Sequence, residues 1–167
     1  MRNIKSTFAL AAAALTIMSV LTGCTTDGGA TGANPEAIKS SLPTVSDNAG
    51  EAPVISAPNG APPTELVIED VIVGKGREAS LESTVTVHYT LMAWSNGQVL
   101  ESSWGQGPAT FPLSNLIPGW QEGIPGMKEG GRRLLIIPPD KGYGPAGQGS
   151  VGPNETLVFA IDLLAIA

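Results

Sequence analysis

The strongest constraint on the fold is a strict alternation of apolar and polar residues over 84–91. The apolar positions are Val85, Val87, Tyr89 and Leu91, and the polar positions that alternate with them are Thr84, Thr86, His88 and Thr90. A period of two with β-branched residues is typical of a β-strand that buries one face. Asn96-Gly97 follows and predicts a tight hairpin turn with positive φ at both residues, so Val99-Leu100-Glu101 would be the returning strand.

Further strands surround a single short helix in the predicted order of elements. Leu116, Trp120 and Ile124 are spaced four apart, so they share one helical face that would pack onto the sheet. Pro118 suits the first turn of this helix, and Pro125-Gly126 ends it. The other strands are predicted over 66–73, with a bend before Gly74, and over 133–137 and 156–167. This order indicates an α+β fold, an antiparallel β-sheet wrapped around one short α-helix.

The first residues have the composition of a bacterial export signal. Arg2 and Lys5 precede an apolar run from Phe8 to Leu21, which is short for a membrane-spanning helix. The run ends in Leu21-Thr22-Gly23-Cys24, which resembles a lipobox and implies cleavage before Cys24 and a diacylglyceryl thioether on its sulfur. We therefore interpret residues 1–23 as a lipoprotein signal peptide and Cys24 as the lipidation site. The alternative is an ordinary signal peptide followed by an unmodified cysteine.

Residues 24–63 have the composition of a flexible linker. They are mostly Gly, Ala, Pro, Ser, Thr and Asn, and none of them is aromatic. Such a segment buries too little apolar surface to offset the entropy lost on ordering. As a coil it would span on the order of 35 Å, and its prolines would extend it further. Val54-Ile55 is a short apolar piece that could dock on the domain predicted over residues 64–167.

The charge of the chain excludes some classes of partner. The chain has nine Lys and Arg and 15 Asp and Glu, which gives a formal net charge of −6. Cleavage after residue 23 removes Arg2 and Lys5 and no acid, so seven basic residues remain and the net charge becomes −8. This balance argues against nucleic-acid binding and against electrostatic adhesion to anionic lipid. The diacyl group would provide the two chains that stable membrane anchoring requires.

A set of short motifs in the second half of the chain keeps a distinctive order and spacing. They are Val87-His88-Tyr89-Thr90, Asn96-Gly97, Leu100-Glu101-Ser102-Ser103, Phe111-Pro112-Leu113, Leu116-Ile117-Pro118-Gly119-Trp120-Gln121-Glu122-Gly123, Gly126-Met127, Gly142-Tyr143-Gly144 and Thr156-Leu157-Val158-Phe159. Together they resemble the FKBP-type peptidyl-prolyl isomerases over most of the predicted domain. The resemblance implies an FKBP-like fold and catalysis of cis–trans isomerisation at peptide bonds that precede proline.

The resemblance also implies a role for each residue of the site. Trp120 would form the floor beneath the proline ring. The walls would be Tyr89, Phe111, Leu116, Ile117 and Phe159. The backbone N–H of Ile117 and the hydroxyl of Tyr143 would donate hydrogen bonds to the bound peptide. Each residue could instead be ordinary core, which is the simpler interpretation of Leu116 and Phe159 taken alone.

The usual catalytic groups are scarce in this chain. His88 is the only histidine and Cys24 the only cysteine, so a catalytic triad or a metal site would depend on a single side chain. His88 points away from Tyr89 on its strand and is interpreted as structural. We expect no metal and no cofactor. An apolar site without such groups suits rotation about an X–Pro bond, whose barrier of about 18–20 kcal/mol comes from amide resonance.

Several departures from the family pattern bear on activity. Leu100-Glu101, both counted in the predicted site, replaces the usual Phe-Asp before the paired serines. Ala109 stands where an aromatic residue is usual, and the loop over 144–153 is one residue short. No arginine lies between Glu101 and Phe111 to pair with the acid. We therefore expect a wider, less aromatic pocket that retains proline binding but has reduced activity.

The leading hypothesis is a lipid-anchored, extracytoplasmic prolyl isomerase that assists the folding of exported proteins at a bacterial cell membrane. Its partners would be proline-containing polypeptides, with the macrolide ligands of the family as further candidates, and we expect a monomer. The first alternative is a chaperone or adaptor that binds proline-containing segments without useful turnover. The second is a structural envelope lipoprotein that retains the fold for stability alone.

Overall fold

The computed structural model describes residues 42–167. The predicted signal peptide, Cys24 and the first part of the predicted linker lie outside the described residues. The strands are β1 Val67–Ile72, β2 Thr84–Ala93, β3 Val99–Ser102, β4 Ala109–Pro112, β5 Arg132–Ile137 and β6 Leu157–Ile166. The α-helix α1 is Pro118–Gly123, and short 3₁₀ turns occupy Leu113–Asn115 and Pro139–Lys141. Within residues 42–167, no helix has the length and apolar character needed to cross a membrane.

The six strands form one antiparallel sheet in the order β1-β5-β6-β2-β3, and β4 also pairs with β2. β6 runs along one edge of β2. The other edge of β2 is divided, because β4 pairs with residues 84–87 and β3 with residues 90–92. The predicted antiparallel sheet around one short helix is therefore confirmed. β4 is an addition that the sequence pattern did not predict.

The β2–β3 hairpin closes through a wider turn than the one predicted for Asn96-Gly97. Gly97 has a φ of 66°, but Asn96 is not among the residues with positive φ, so the two-residue turn was wrong. Gly97 N–H instead donates to the Ala93 carbonyl at 3.0 Å, which makes a four-residue loop over 94–97. The longer loop lets Trp94 fold back onto the sheet, where its indole N–H donates to the Gly60 carbonyl at 3.2 Å.

α1 packs directly on β5 because two of its positions are glycine. A Cβ on Gly119 would lie 2.5 Å from Cγ2 of Ile137, and one on Gly123 would lie 2.8 Å from Leu135. Pro118 is in the first turn of the helix, as predicted. The close approach buries Trp120 in the core on the side of the sheet that faces α1, which we call the inner face. Further buried members of the inner-face core are Ala79, Val85, Val87, Leu91, Leu113, Ile124, Met127, Val151, Leu157, Phe159, Ile161, Leu163 and Ile166.

Residues 42–60 cover the opposite, outer face of the sheet, and we call them the N-terminal strap. Ile55 is only 9% exposed and packs into a second apolar cluster. The other buried members of this cluster are Met92, Trp94, Leu134, Ile136, Val158 and Ala160. Val45 pairs with Ile55 across the strap, and Ser56 N–H donates to the Thr44 carbonyl at 2.9 Å. Although the composition predicted a flexible linker up to residue 63, the chain is packed from Leu42 because β5 and β6 are apolar on both faces.

Two consecutive arginines of β5 donate hydrogen bonds to the segments that cover the two faces of the sheet, which are the N-terminal strap and α1. Arg132 is fully buried on the outer face, and its Nε donates to the Asp162 carboxylate at 2.9 Å. Its two terminal nitrogens donate to the carbonyls of Ser46 and Glu51 in the strap at 2.7 and 2.6 Å. Arg133 points to the inner face and donates to the Gly123 carbonyl at the end of α1, at 2.8 Å. The alternation of a strand therefore lets neighbouring residues hold the strap and the helix.

His88 belongs to the outer-face cluster around Arg132. Its ring stacks on Trp104 with centroids 4.2 Å apart, and Nδ1 lies 2.9 Å from the Ser103 hydroxyl. The Arg132 guanidinium lies 5.9 Å from the centroid of a Trp104 ring. Burial raises the pKa of Asp162, and the hydrogen bond from Arg132 opposes that shift. His88 is thus on the face predicted for it, away from Tyr89.

Ile55→Ala should lower the free energy of unfolding by about 2–4 kcal/mol, because truncation leaves a cavity between the strap and the sheet. Val54→Ala is the matched control, since the Val54 side chain is 72% exposed and should change stability by less than about 0.5 kcal/mol. Urea unfolding of the signal-free chain, followed by tryptophan fluorescence, measures both effects. Equal and small effects would show that the strap contributes nothing to the stability of the domain.

Candidate functional site

A cavity of about 400 Å³ opens on the inner face of the sheet, where α1 and its flanking loops meet β2, β3, β4 and β6. Most of its lining side chains are apolar or aromatic. They are Tyr89, Leu91, Glu101, Phe111, Asn115, Leu116, Ile117, Trp120, Tyr143, Gln148 and Phe159. A small concave site with an apolar wall and a few polar groups has the character of a ligand-binding pocket.

Trp120 lines the cavity and packs edge-on against three aromatic rings that also line it. Its ring centroid lies 5.3 Å from that of Phe159, 6.0 Å from that of Tyr89 and 6.4 Å from that of Phe111. The interplanar angles of 90°, 82° and 88° are those of T-shaped pairs, the arrangement that aromatic quadrupoles favour. The indole is 4% exposed, so its orientation is fixed by packing before any ligand arrives.

Tyr89 and Glu101 form the polar side of the cavity. The Tyr89 hydroxyl donates a short hydrogen bond to the Glu101 carboxylate, across the β2–β3 pair. Burial raises the pKa of Tyr89, and the hydrogen bond to Glu101 and its negative charge raise it further. The pKa of Tyr143 is raised by burial and then by the charge of Glu101. Both hydroxyls are therefore fully protonated donors at neutral pH.

Two hydrogen-bond donors in the cavity are unused by the protein. Between described residues, neither the Ile117 N–H nor the Tyr143 hydroxyl donates to an acceptor. Ile117 is held in an extended conformation at the start of α1, with φ −60° and ψ 150°, while its carbonyl accepts from Trp120 N–H at 2.9 Å. The backbone of Ile117 is therefore fixed by the helix, and its N–H remains available to a ligand. These are the two donors that the resemblance implied.

The loop after Tyr143 places Gln148 at the cavity. Gln148 and Val151 exchange two backbone hydrogen bonds, of 3.0 and 2.9 Å, which closes the loop into a tight turn. Gly147 has a φ of 67°, and a Cβ at this position would lie 2.3 Å from the Val151 carbonyl oxygen. Val151 is buried against the inner-face core and anchors the turn. The shortened loop is therefore an ordered wall of the cavity.

Eight of the nine peptide-site residues predicted from the sequence line this one cavity. Leu100 does not, because it packs against the inner-face core beside the site. Leu91, Asn115 and Gln148 also line the cavity and were not predicted. Leu91 continues the inward alternation of Tyr89, and Asn115 precedes the Leu116 motif, so both could have been found from their neighbours. Gln148 gave no signal beyond its place in a long Gly-rich loop.

Metal ligation finds no support in the described part of the chain. Over residues 42–167, no group of three or more His, Cys, Asp or Glu is arranged so that it could hold a metal ion. The cavity itself contains Glu101 as its one carboxylate. What the arrangement can do is bind an apolar ring against Trp120 and hold a polar group on the Ile117 N–H.

Comparison with known proteins assigns the domain to one family. A family model described as FKBP-type peptidyl-prolyl cis-trans isomerase matches residues 75–164, which is more than half of the chain. The chain belongs to this family. It is therefore a peptidyl-prolyl cis–trans isomerase by family, and the family resemblance drawn from the motifs is confirmed.

Relatives from several bacteria extend this assignment. A probable FK506-binding protein of Corynebacterium glutamicum is 52% identical over 116 residues, which is 69% of this chain and 98% of the relative. An FK506-binding protein of Streptomyces anulatus is 45% identical over 121 residues, again over 98% of its length. The FKBP-type isomerase FkpA of Escherichia coli strain K12 is 42% identical over 106 residues, but only 38% of that protein is covered.

Solved structures show the same architecture. The crystal structure of FkpA from Escherichia coli superposes with a TM-score of 0.58 and 39% identity, over 62% of this chain and 48% of that one. AtFKBP13 superposes with a TM-score of 0.57 and 33% identity, over 64% of this chain and 96% of that one. The FKBP-like fold is thus shared with chains of different length.

Trp120→Ala should abolish binding of proline-containing peptides, because it removes the largest apolar surface of the cavity. Trp94→Ala is the matched control: this indole is also buried but lies in the outer-face cluster, so its truncation should lower stability and leave peptide affinity unchanged. Each truncation is expected to cost about 3–5 kcal/mol of stability. Near-UV circular dichroism must therefore show that both variants are folded before affinity is measured by NMR titration. A folded Trp120→Ala variant that binds as tightly as the wild type would place the peptide site elsewhere.

The two tyrosines of the chain both line the cavity, so tyrosinate absorbance reports on this site alone. Because both pKa values are raised, tyrosinate should appear only above about pH 10, the value for free tyrosine. Stability from the neutral hydroxyls is therefore present below that pH and is lost as pH rises through the folded-state pKa values. Isomerisation should be flat from about pH 6 to 9, since no proton is exchanged.

Glu101→Gln removes the negative charge that raises both pKa values, so it should bring the tyrosinate transition to lower pH. Glu82→Gln changes the net charge equally at an exposed position that does not line the cavity, and serves as the control. A tyrosinate transition below pH 10 in the wild type, or equal shifts in both variants, would contradict this account of the cavity.

Proposed function

We propose that the protein is a lipid-anchored prolyl isomerase that assists the folding of exported proteins at a bacterial cell membrane. The observation that carries the proposal is the aromatic cavity around Trp120, with the unused donors of Ile117 and Tyr143, in a chain of the FKBP-type family. Relatives that are named for FK506 binding support the family's macrolide ligands as further candidates. The substrate would be an X–Pro segment whose ring sits on the indole.

The geometry supports a mechanism based on binding a twisted amide. The planar X–Pro amide is stabilised by resonance that separates charge between oxygen and nitrogen, and an apolar cavity solvates that charge poorly. The twisted amide has less resonance and less charge separation, so the cavity favours it over the planar form. Ile117 N–H would hold a backbone carbonyl of the peptide outside the rotating amide, while Trp120 holds the ring. Binding the twisted state more tightly than the planar states lowers the barrier.

General acid–base catalysis has no role in this mechanism. Glu101, the one carboxylate of the cavity, already accepts a hydrogen bond from Tyr89. No covalent bond is made or broken in the rotation, so no nucleophile or proton acceptor is needed. The contribution of Tyr89 is positional, because its hydroxyl fixes the ring that packs edge-on against Trp120.

The envelope location rests on the sequence of the N-terminus. An apolar run with a basic start ends at Leu21-Thr22-Gly23-Cys24, the pattern of a lipobox. Residues 25–41 separate Cys24 from Leu42, the first residue that the structure describes. The cavity would then act close to the membrane surface, where exported chains emerge.

A protease-coupled assay with a neutral proline peptide tests the catalytic part. The signal-free protein should raise the isomerisation rate above the uncatalysed rate, whose time constant is tens to hundreds of seconds. The substitutions at Leu100 and Ala109 favour one second candidate, a chaperone that binds without useful turnover. Peptide binding with no rate increase would select that candidate. Absence of both binding and turnover would leave only a structural role for the fold.

Metabolic labelling with a fatty-acid analogue tests the envelope part. The wild-type chain, expressed in a bacterial host, should carry label and fractionate with membranes, because Cys24 follows the lipobox-like sequence. Cys24→Ser should abolish both properties and leave isomerase activity in the soluble fraction. Equal labelling of the two chains, or label on neither, would remove the lipid anchor from the proposal.

A further inference from the structure

Glu101 is the one charged side chain among the residues that line the cavity. Its carboxylate is exposed at the mouth, and its hydrogen-bond partner is the neutral hydroxyl of Tyr89. A hydrogen bond from a neutral donor satisfies the oxygen but leaves the full negative charge in place. The cavity therefore has a net charge of −1 when Glu101 is ionised.

The arginines of the described residues do not neutralise this charge, because each is paired with another acid. Arg77 bridges to Glu129 at 3.0 Å, Arg132 to Asp162 at 2.9 Å and Arg133 to Asp70 at 2.7 Å. The last two also donate to backbone carbonyls of the strap and of α1, so their positions are fixed. A movement of either arginine toward Glu101 would break its hydrogen bonds to the strap or to α1.

No lysine of residues 42–167 forms an ion pair with Glu101 or lines the cavity. Lys141 is the one nearest in sequence to Tyr143, but its ammonium group bridges to Glu122 at 2.7 Å. The hydrogen bond to Glu122 raises the pKa of Lys141, and the acids that act on it are Glu122, Asp140 and Glu65. Lys75 and Lys128 do not line the cavity.

The negative potential of Glu101 extends across the cavity. It raises the pKa of Tyr143, which lies on the loop after β5, as well as that of Tyr89 on β2. A peptide bound between these walls would therefore lie within this potential. The formal charge of the chain, −6, adds to it at longer range.

We propose that the cavity selects proline segments in which the residue before the proline is lysine or arginine, and that Glu101 determines this preference. This inference rests on the proposed isomerase function and names its substrate class. The proline ring would bind to Trp120 in any such segment, and the cation of the preceding residue would lie against the carboxylate that the protein leaves uncompensated.

The test compares four blocked peptides, Ala-Xaa-Pro-Phe with Xaa lysine, norleucine, glutamine or glutamate, in an uncoupled solvent-jump assay that involves no protease. In the wild type, kcat/KM for lysine should exceed that for glutamate by about sevenfold at low salt, the unscreened effect of reversing a unit charge about 7 Å away in water. Salt at 0.5 M should reduce the ratio toward one, because the screening length falls below that distance. Norleucine and glutamine separate charge from side-chain size.

Glu101→Gln should bring the lysine-to-glutamate ratio close to one, whatever it does to the absolute rate. Glu82→Gln removes one negative charge from an exposed turn and should keep the wild-type ratio. A ratio that is unchanged in Glu101→Gln, or that falls equally in both variants, would overturn the proposal. The two neutral peptides report the proposed function separately, since their turnover does not depend on the charge. If none of the peptides is turned over, the proposed function fails, and binding of the same peptides by NMR gives the ratio instead.

Discussion

The edge-on packing of Trp120 against Tyr89, Phe111 and Phe159 is the contact on which the site depends. The three rings come from β2, β4 and β6, so the floor of the cavity exists only when these strands are paired in register. α1 carries the indole to them because Gly119 and Gly123 allow it to lie against β5. The cavity is therefore a gap in the inner-face core whose shape is fixed by the same packing that stabilises the domain.

A sheet of this kind needs a cover on each face, and the two covers are different. β5 is buried along its whole length, so α1 alone cannot shield it. Arg132 attaches the strap to the outer face, and Arg133 attaches α1 to the inner face. Each arginine donates to an acid of the sheet and to backbone carbonyls of the segment it holds. A buried pair such as Arg132–Asp162 contributes little net stability. Removal of one partner would leave the other charge buried and unpaired, which lowers the free energy of unfolding by about 3–5 kcal/mol. The strap is thus specified by polar contacts as well as by Ile55.

The sequence predicted the parts of the fold that have a local pattern. The alternation along β2, the helix at Trp120 and the spacing of the family motifs led to the architecture and to eight residues of the cavity. The packing of the strap was not predicted, because its contacts join residues 42–60 to the distant strands β5 and β6, while its own composition is that of a linker. Leu100 was placed in the cavity by family position alone, and its packing against the core could be learned only from the structure. The position of Gln148 at the cavity depends on one hydrogen-bonded turn, and the loop around it has no sequence periodicity that would predict this turn.

The distribution of charge separates what binds the proline from what selects its neighbours. The contacts of Trp120 with a proline ring are short-ranged and independent of salt, so they treat all X–Pro segments alike. The Glu101 carboxylate acts over a longer distance because Tyr89 satisfies its oxygen without cancelling its charge. The three arginines of the described residues are instead paired with Asp70, Asp162 and Glu129. The Glu101 carboxylate pays little desolvation energy while it faces solvent. Its electrostatic attraction acts in full when a cationic segment enters the cavity.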